Sequence, residues 1–125
     1  METVIYQNGL RYSEKEYKLE VEFEKLVVNN SKTFFGEKTI YIDAKKKIDN
    51  NSLGGVIPDG FLFDFSDRKN PEFYLVEVEL AKHSFFGHIF PQITKFFAFF
   101  KNPSSQGKLI EKLYSIFDND DGLLK

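Results

Sequence analysis

Apolar and polar positions alternate with two different periods along this chain, and each change of period marks an element boundary. Tyr17, Val21, Phe23, Val27 and Val28 recur at approximately helical spacing with Glu and Lys between them, which predicts a helix over 13–29. Ser13 is a candidate cap, Glu16 completes a capping box three residues later, and Asn29-Asn30-Ser31 ends the run. Thr39-Ile40-Tyr41-Ile42-Asp43 is β-branched and aromatic, as suits a strand. Lys45-Lys46-Lys47 and Asp49-Asn50-Asn51-Ser52 make a polar excursion, and Gly54-Gly55 predicts a bulge or turn. A second strand is predicted roughly over 56–65 and a third roughly over 73–80, joined by the turn Ser66–Pro71. Phe86, Ile89, Phe90, Ile93, Phe96, Phe97 and Phe100 then form a wide apolar face, which predicts a helix over 84–101. Pro91 inside that run either kinks the helix or marks its first turn. Asn102-Pro103-Ser104-Ser105 breaks the chain before a last helix at about 106–117. Asp118-Asn119-Asp120-Asp121-Gly122 reads as a frayed tail or linker.

The order helix, three strands, helix, helix implies an α/β fold. Its sheet is small, mixed or an antiparallel meander, because the short turns favour antiparallel pairing. The second and third strands are apolar on both faces, so helices are expected on both sides. One domain is expected over 1–125, with its core at about 13–101 and a C-terminal helix and tail over 104–125. With so little room for further elements, the chain also fits a piece of a larger protein.

The absence of cysteine excludes disulfides and thiolate metal sites and fits a cytoplasmic location. Residues 1–10 lack a basic segment followed by an apolar one, so no signal peptide is expected. No apolar run approaches the ~18 residues of a membrane span, so no membrane association is expected. A formal net charge of −2 gives no general attraction to nucleic acid, so such a partner needs a local basic patch or a bound metal. Fifteen Phe and no Trp point to an aromatic-rich core. Neither a Ser/His/Asp nor a Cys/His arrangement supports acyl-transfer chemistry.

The candidate chemistry lies in carboxylates. Asp59 sits inside the apolar run Val56–Phe63, and Glu77 and Glu79 lie two apart in Phe73–Leu80. Alternate side chains of a strand share a face, so Glu77 and Glu79 are expected together. Like charges side by side on a half-buried strand repel and resist desolvation. A hard divalent cation removes both costs. Removing Asp59 or Glu77 is then expected to leave the fold intact and to relieve repulsion in the metal-free protein.

Pro58-Asp59, followed on the next strand by Glu77-Val78-Glu79, resembles the motif of the restriction-endonuclease-like, or PD-(D/E)xK, nucleases, with Glu79 in place of the usual Lys. Glu24 on the first helix and Gln92 on the helix after the third strand match further positions of that superfamily. The resemblance covers about 13–101. It implies a restriction-endonuclease-like core in which Asp59, Glu77 and Glu24 bind Mg²⁺ or Mn²⁺, helped by the Val78 carbonyl and waters. Glu79 would hold or deprotonate the attacking water or orient a second metal. Lys95, then Lys82, are the candidates for the displaced positive charge. His88, Gln92 and Lys95 fall at i, i+4 and i+7 on one helical face that could meet phosphate. An amphipathic polar stripe explains the same spacing. Lys45-Lys46-Lys47 fits a solvated hairpin end or phosphate contacts. His83 and His88 are five apart with no third imidazole, so they are not expected to be metal ligands.

The resemblance implies a metal-dependent phosphodiester hydrolase acting on nucleic acid, DNA before RNA. The alternative is a catalytically inactive nuclease-fold module that binds nucleic acid or protein, favoured by the missing motif Lys. The sequence leaves the choice between monomer and homodimer open.

Overall fold

The computed structural model describes residues 3–48 and 57–119. Among them are two small antiparallel sheets, five α-helices and one π-helical turn. The chain begins with a hairpin, β1 (Val4–Gln7) against β2 (Leu10–Ser13). Asn8 and Gly9 turn it, both at positive φ (53° and 76°), which is the backbone a tight hairpin turn needs. Ser13 is therefore the last residue of β2 and caps nothing. The predicted helix over 13–29 starts only at Glu20, as α1 (Glu20–Asn29). Leu19 precedes it without a side-chain cap, and Glu20 and Glu22 offset the helix dipole in the first turn instead. A short α2 (Ser31–Phe35) follows.

The three predicted strands form an antiparallel meander in the order β3 (Thr39–Asp43), β4 (Gly60–Asp64), β5 (Glu72–Val76). A one-turn helix, α3 (Ala44–Lys47), leaves β3 directly, so the three lysines are helical and do not form a hairpin end. The Gly54-Gly55 turn and the tail from Asp120 lie outside the described residues. The third strand stops at Val76, short of the predicted Leu80. Beyond the last ladder pair, Gly60 with Val76, side chains replace the backbone bonds. The Asp59 N–H donates to Glu77 Oε1 (3.2 Å) and the Val78 N–H donates to Asp59 Oδ2 (2.7 Å).

Pairing of Ile42 with Phe61 and of Phe61 with Leu75 puts these residues on one sheet face. That face packs on α5 (Pro103–Asn119) through Leu109 and Leu113, with Phe100 of α4 (Phe90–Lys101) beside them. The core thus extends past Lys101. Each fully buried Phe or Ile of this cluster contributes about 1.5–3 kcal/mol. The opposite face carries Tyr41, whose ring stacks on Phe35 of α2 at 5.8 Å, and it looks toward α1. Helices therefore cover both faces. No helix among the described residues is long and apolar enough to cross a membrane.

The predicted helix over 84–101 is in two parts. A π-helical turn, Phe85–Ile89, is capped by the Ser84 side chain, which accepts from the Gly87 N–H (3.1 Å), and runs into α4. Pro91 stands in the first turn of α4, and because the π-turn runs straight into it, the proline removes one donor from a continuous helical stretch.

Candidate functional site

The site forms at one end of the meander, where β3 ends, β4 begins and β5 ends. Asp59 directly precedes β4 and is buried, with 6% of its side chain exposed. Its carbonyl accepts from the Ala44 N–H (3.2 Å), which fixes the start of α3. Lys45 is thereby held over the strand ends. Its ammonium bonds to Glu24 Oε1 on α1 (2.9 Å) and to Asp59 Oδ1. Glu77, the residue after β5, accepts from the Asp59 backbone N–H. Glu24, Asp59 and Glu77 are thus brought together across a long stretch of sequence, with Lys45 as the cation among them.

A cleft of about 280 Å³ opens beside this cluster, lined by Glu24, Asp43 and Asp59 and by Lys25, Lys45 and Lys46. Tyr41 also lines it. Burial raises the Tyr41 hydroxyl far above its usual range, with the Asp59 charge the largest of several further contributions, so it remains a donor. Burial alone would lower the Lys45 ammonium, but the Asp59 and Glu24 carboxylates outweigh it and hold it above its usual value. Burial likewise raises Glu24, against the lowering effect of Lys45. Burial, followed by the Asp59 charge, pushes the Glu77 carboxyl up to about 7.

The Glu77 shift has a measurable consequence. A carboxyl with a raised folded-state pKa stabilises the fold fully below its ordinary value of 4.5 and loses that contribution as pH rises through 7. In chelator, urea denaturation from pH 5 to 8 should therefore move the stability difference steadily in favour of Glu77→Gln over wild type. Parallel curves would show that Glu77 ionises as it does in the unfolded chain.

Glu79 takes a different direction from the one the motif suggests. Val78 and Leu80 are buried, so Glu77 and Glu79 both turn from that packing, but they meet different partners. Glu79 joins Glu20 of α1, His83 and His88. Its Oε1 contacts His83 Nδ1 and lies 3.0 Å from His88 Nε2, while Glu20 Oε1 lies 2.7 Å from His83 Nδ1. Burial and a hydrogen bond shared with Glu20 raise Glu79. Burial opposes ionisation of Glu20, but the bond from Glu79 and the nearby His83 outweigh it and lower its pKa. One atom from each of Glu20, Glu79, His83 and His88 lies within 4.8 Å of the other three, a set that could hold a metal ion.

No protein family, characterised protein or solved structure matches this chain.

The other expected residues are dispersed. Lys95 is exposed on α4 and makes no ion pair among the described residues. Lys82 is exposed, its ammonium 3.3 Å from the Lys18 carbonyl. Gln92 is half-buried, with an enclosed Oε1 that has no hydrogen-bond partner. His88 belongs to the π-turn and faces Glu79, so it does not share a stripe with Gln92 and Lys95 on one regular helix. Lys45, Glu20 and His83 are the residues that motif spacing missed. A weak signal existed for Glu20, which stands four residues before Glu24 and so on the same face of α1.

Proposed function

We propose that the chain is a divalent-metal-dependent phosphodiester hydrolase acting on nucleic acid, DNA in the first instance, built on a restriction-endonuclease-like core. The observation that carries this reading is the meeting of Glu24, Asp59 and Glu77 with Lys45 at the strand ends, beside a cleft that also presents Lys25 and Lys46. The three carboxylates offer only oxygen donors, which suit Mg²⁺ or Mn²⁺, and an ion held there would take the place that the Lys45 ammonium now fills between Glu24 and Asp59. They would hold the ion, and a bound ion supplies a coordinated water of lowered pKa and offsets charge on the phosphoryl oxygens. Lys45 takes over the role first sought in Lys95, because its ammonium already stands among the carboxylates. Lys25 and Lys46 line the path of an incoming phosphate backbone and offset the acidic cluster.

One observation favours a second reading, a catalytically silent module of the same fold. Lys45 neutralises Glu24 and Asp59 without any metal. Incubating the protein with single- and double-stranded DNA and with RNA, in Mg²⁺, Mn²⁺ or chelator, separates the two. The hydrolase reading expects metal-dependent cleavage, slowed by Lys45→Ala and unchanged by Lys95→Ala. No cleavage under any metal condition would leave the silent module, and equal cleavage in chelator would remove the metal from the chemistry.

A further inference from the structure

We propose that Glu20, Glu79, His83 and His88 form a separate metal centre, which takes a first-row transition-metal ion of the Zn²⁺ class and fastens α1 to the turn leading into α4. This inference does not rest on the phosphodiesterase reading.

One ligand atom from each of the four residues lies within 4.8 Å of the other three, and His83 Nδ1, His88 Nε2, Glu20 Oε1 and Glu79 Oε1 are the atoms that meet in the ion pairs. Bonds of about 2.0–2.2 Å in a tetrahedron place ligand atoms roughly 3.4 Å apart. The cluster is therefore within side-chain reach of that geometry. His83 Nδ1 is 2.7 Å from Glu20 Oε1, and His88 Nε2 is 3.0 Å from Glu79 Oε1. The imidazole rings meet edge to face, with centroids 4.8 Å apart.

The donor chemistry selects the ion. Two imidazoles with two carboxylates suit Zn²⁺, Co²⁺ and their neighbours, whereas an all-oxygen set suits Mg²⁺. Two carboxylates side by side repel in a metal-free protein, and one dication bound to both offsets that repulsion. A second observation points the same way. Glu20 Oε1 is sealed from solvent and lacks a well-directed N–H donor, its neighbours being the His83 nitrogen and the Glu79 carboxyl. A buried acceptor left in that state requires an explanation, and an ion is one.

The scaffold is prepared for the role. Glu79 is flanked by buried Val78 and Leu80, and Ser84 caps the turn that carries His88. His88 is 46% exposed, which gives an ion access from solvent. Four protein ligands fill a tetrahedral shell and leave no open position for substrate, so the centre is structural.

The test is titration of metal-stripped protein with Zn²⁺ by calorimetry and with Co²⁺ by visible absorption. Wild type is compared with His83→Ala, His88→Ala, Glu20→Gln and Asp59→Asn. The expected result is one ion per chain that produces the intense visible band of tetrahedral Co²⁺, with a raised thermal midpoint. The two histidine variants and Glu20→Gln should weaken binding by at least about 10–100-fold, since loss of even an outer-shell partner has that effect. Asp59→Asn should keep the tetrahedral Co²⁺ band, because Asp59 is not a ligand of this centre. His88 is exposed, so its replacement keeps the test decisive if His83→Ala fails to fold. Absence of the band in wild type, wild-type affinity in His88→Ala, or a loss confined to Asp59→Asn would each overturn the proposal. DNA cleavage is not a readout, so an inactive protein that binds Co²⁺ tightly refutes the hydrolase alone.

Discussion

Asp59→Ala is expected to lose stability as well as metal-dependent cleavage, whereas Asp59→Asn loses cleavage and keeps most of its stability. The repulsion argument from the sequence pointed the other way, toward a neutral or stabilising change. It fails because Asp59 is a structural acceptor. Its Oδ2 takes the N–H of buried Val78, and its Oδ1 pairs with Lys45. Alanine leaves that N–H without a partner, at a cost of about 1–3 kcal/mol, and leaves Lys45 with Glu24 alone. Asparagine offers an oxygen of the same reach to Val78 while removing the charge that a metal needs. Cleavage in either variant should fall by about 10²–10³-fold, the scale of losing one electrostatic contributor to a transition state. Urea denaturation and a cleavage assay on both variants check the two halves separately. Equal stability of the alanine and asparagine variants would show that the Val78 bond is unimportant.

Gly60→Ala is the second large effect, and it acts on the site through shape. A Cβ at Gly60 would lie 2.1 Å from the Tyr41 ring and hydroxyl. Tyr41 cannot swing aside freely, because its ring is stacked on Phe35. Overpacking of this kind typically costs about 1–3 kcal/mol, and more where the neighbour cannot yield. Gly60 adjoins Asp59 and pairs with both Asp43 and Val76. The strain therefore falls on the strand ends that hold the carboxylates. The variant should show a lower denaturation midpoint, and Gly60→Ala combined with Tyr41→Phe should recover only part of it, since the ring carbons also clash. Full recovery in the double variant would assign the clash to the hydroxyl alone.

The meander was readable because its strands combine β-branched and aromatic residues with short polar turns. β3 spans the predicted Thr39–Asp43. The hairpin was missed although Asn8-Gly9 between apolar alternations is a strong turn signal. Ser13 and Glu16, read as a capping box, drew the helix boundary too early. Asp59 and Glu77 were legible because carboxylates beside apolar runs need a reason, and Glu24 only through the resemblance to the nuclease superfamily. Lys45 was hidden in a run of three lysines, and only the Ala44 N–H bond to the Asp59 carbonyl singles it out. The i, i+4 spacing rule of a regular helix, together with the lack of a third imidazole, speaks against His83 and His88 as ligands. That rule does not apply here, since His83 precedes the Ser84 cap and His88 sits in a wider π-turn.

Glu20 and Glu24 stand on one ten-residue helix, four residues apart, one facing the histidine cluster and the other facing Lys45 and Asp59. α1 is thus a shared lever. Any ion that draws Glu20 inward also sets the depth of Glu24, and any ligand that displaces Lys45 from Glu24 pulls on Glu20. Equilibrium linkage makes such a coupling reciprocal: the factor by which occupancy of one cluster changes affinity at the other must be the same in both directions. The first two turns of α1 would then carry that coupling, and an ion bound at Glu20 would set the affinity at Glu24.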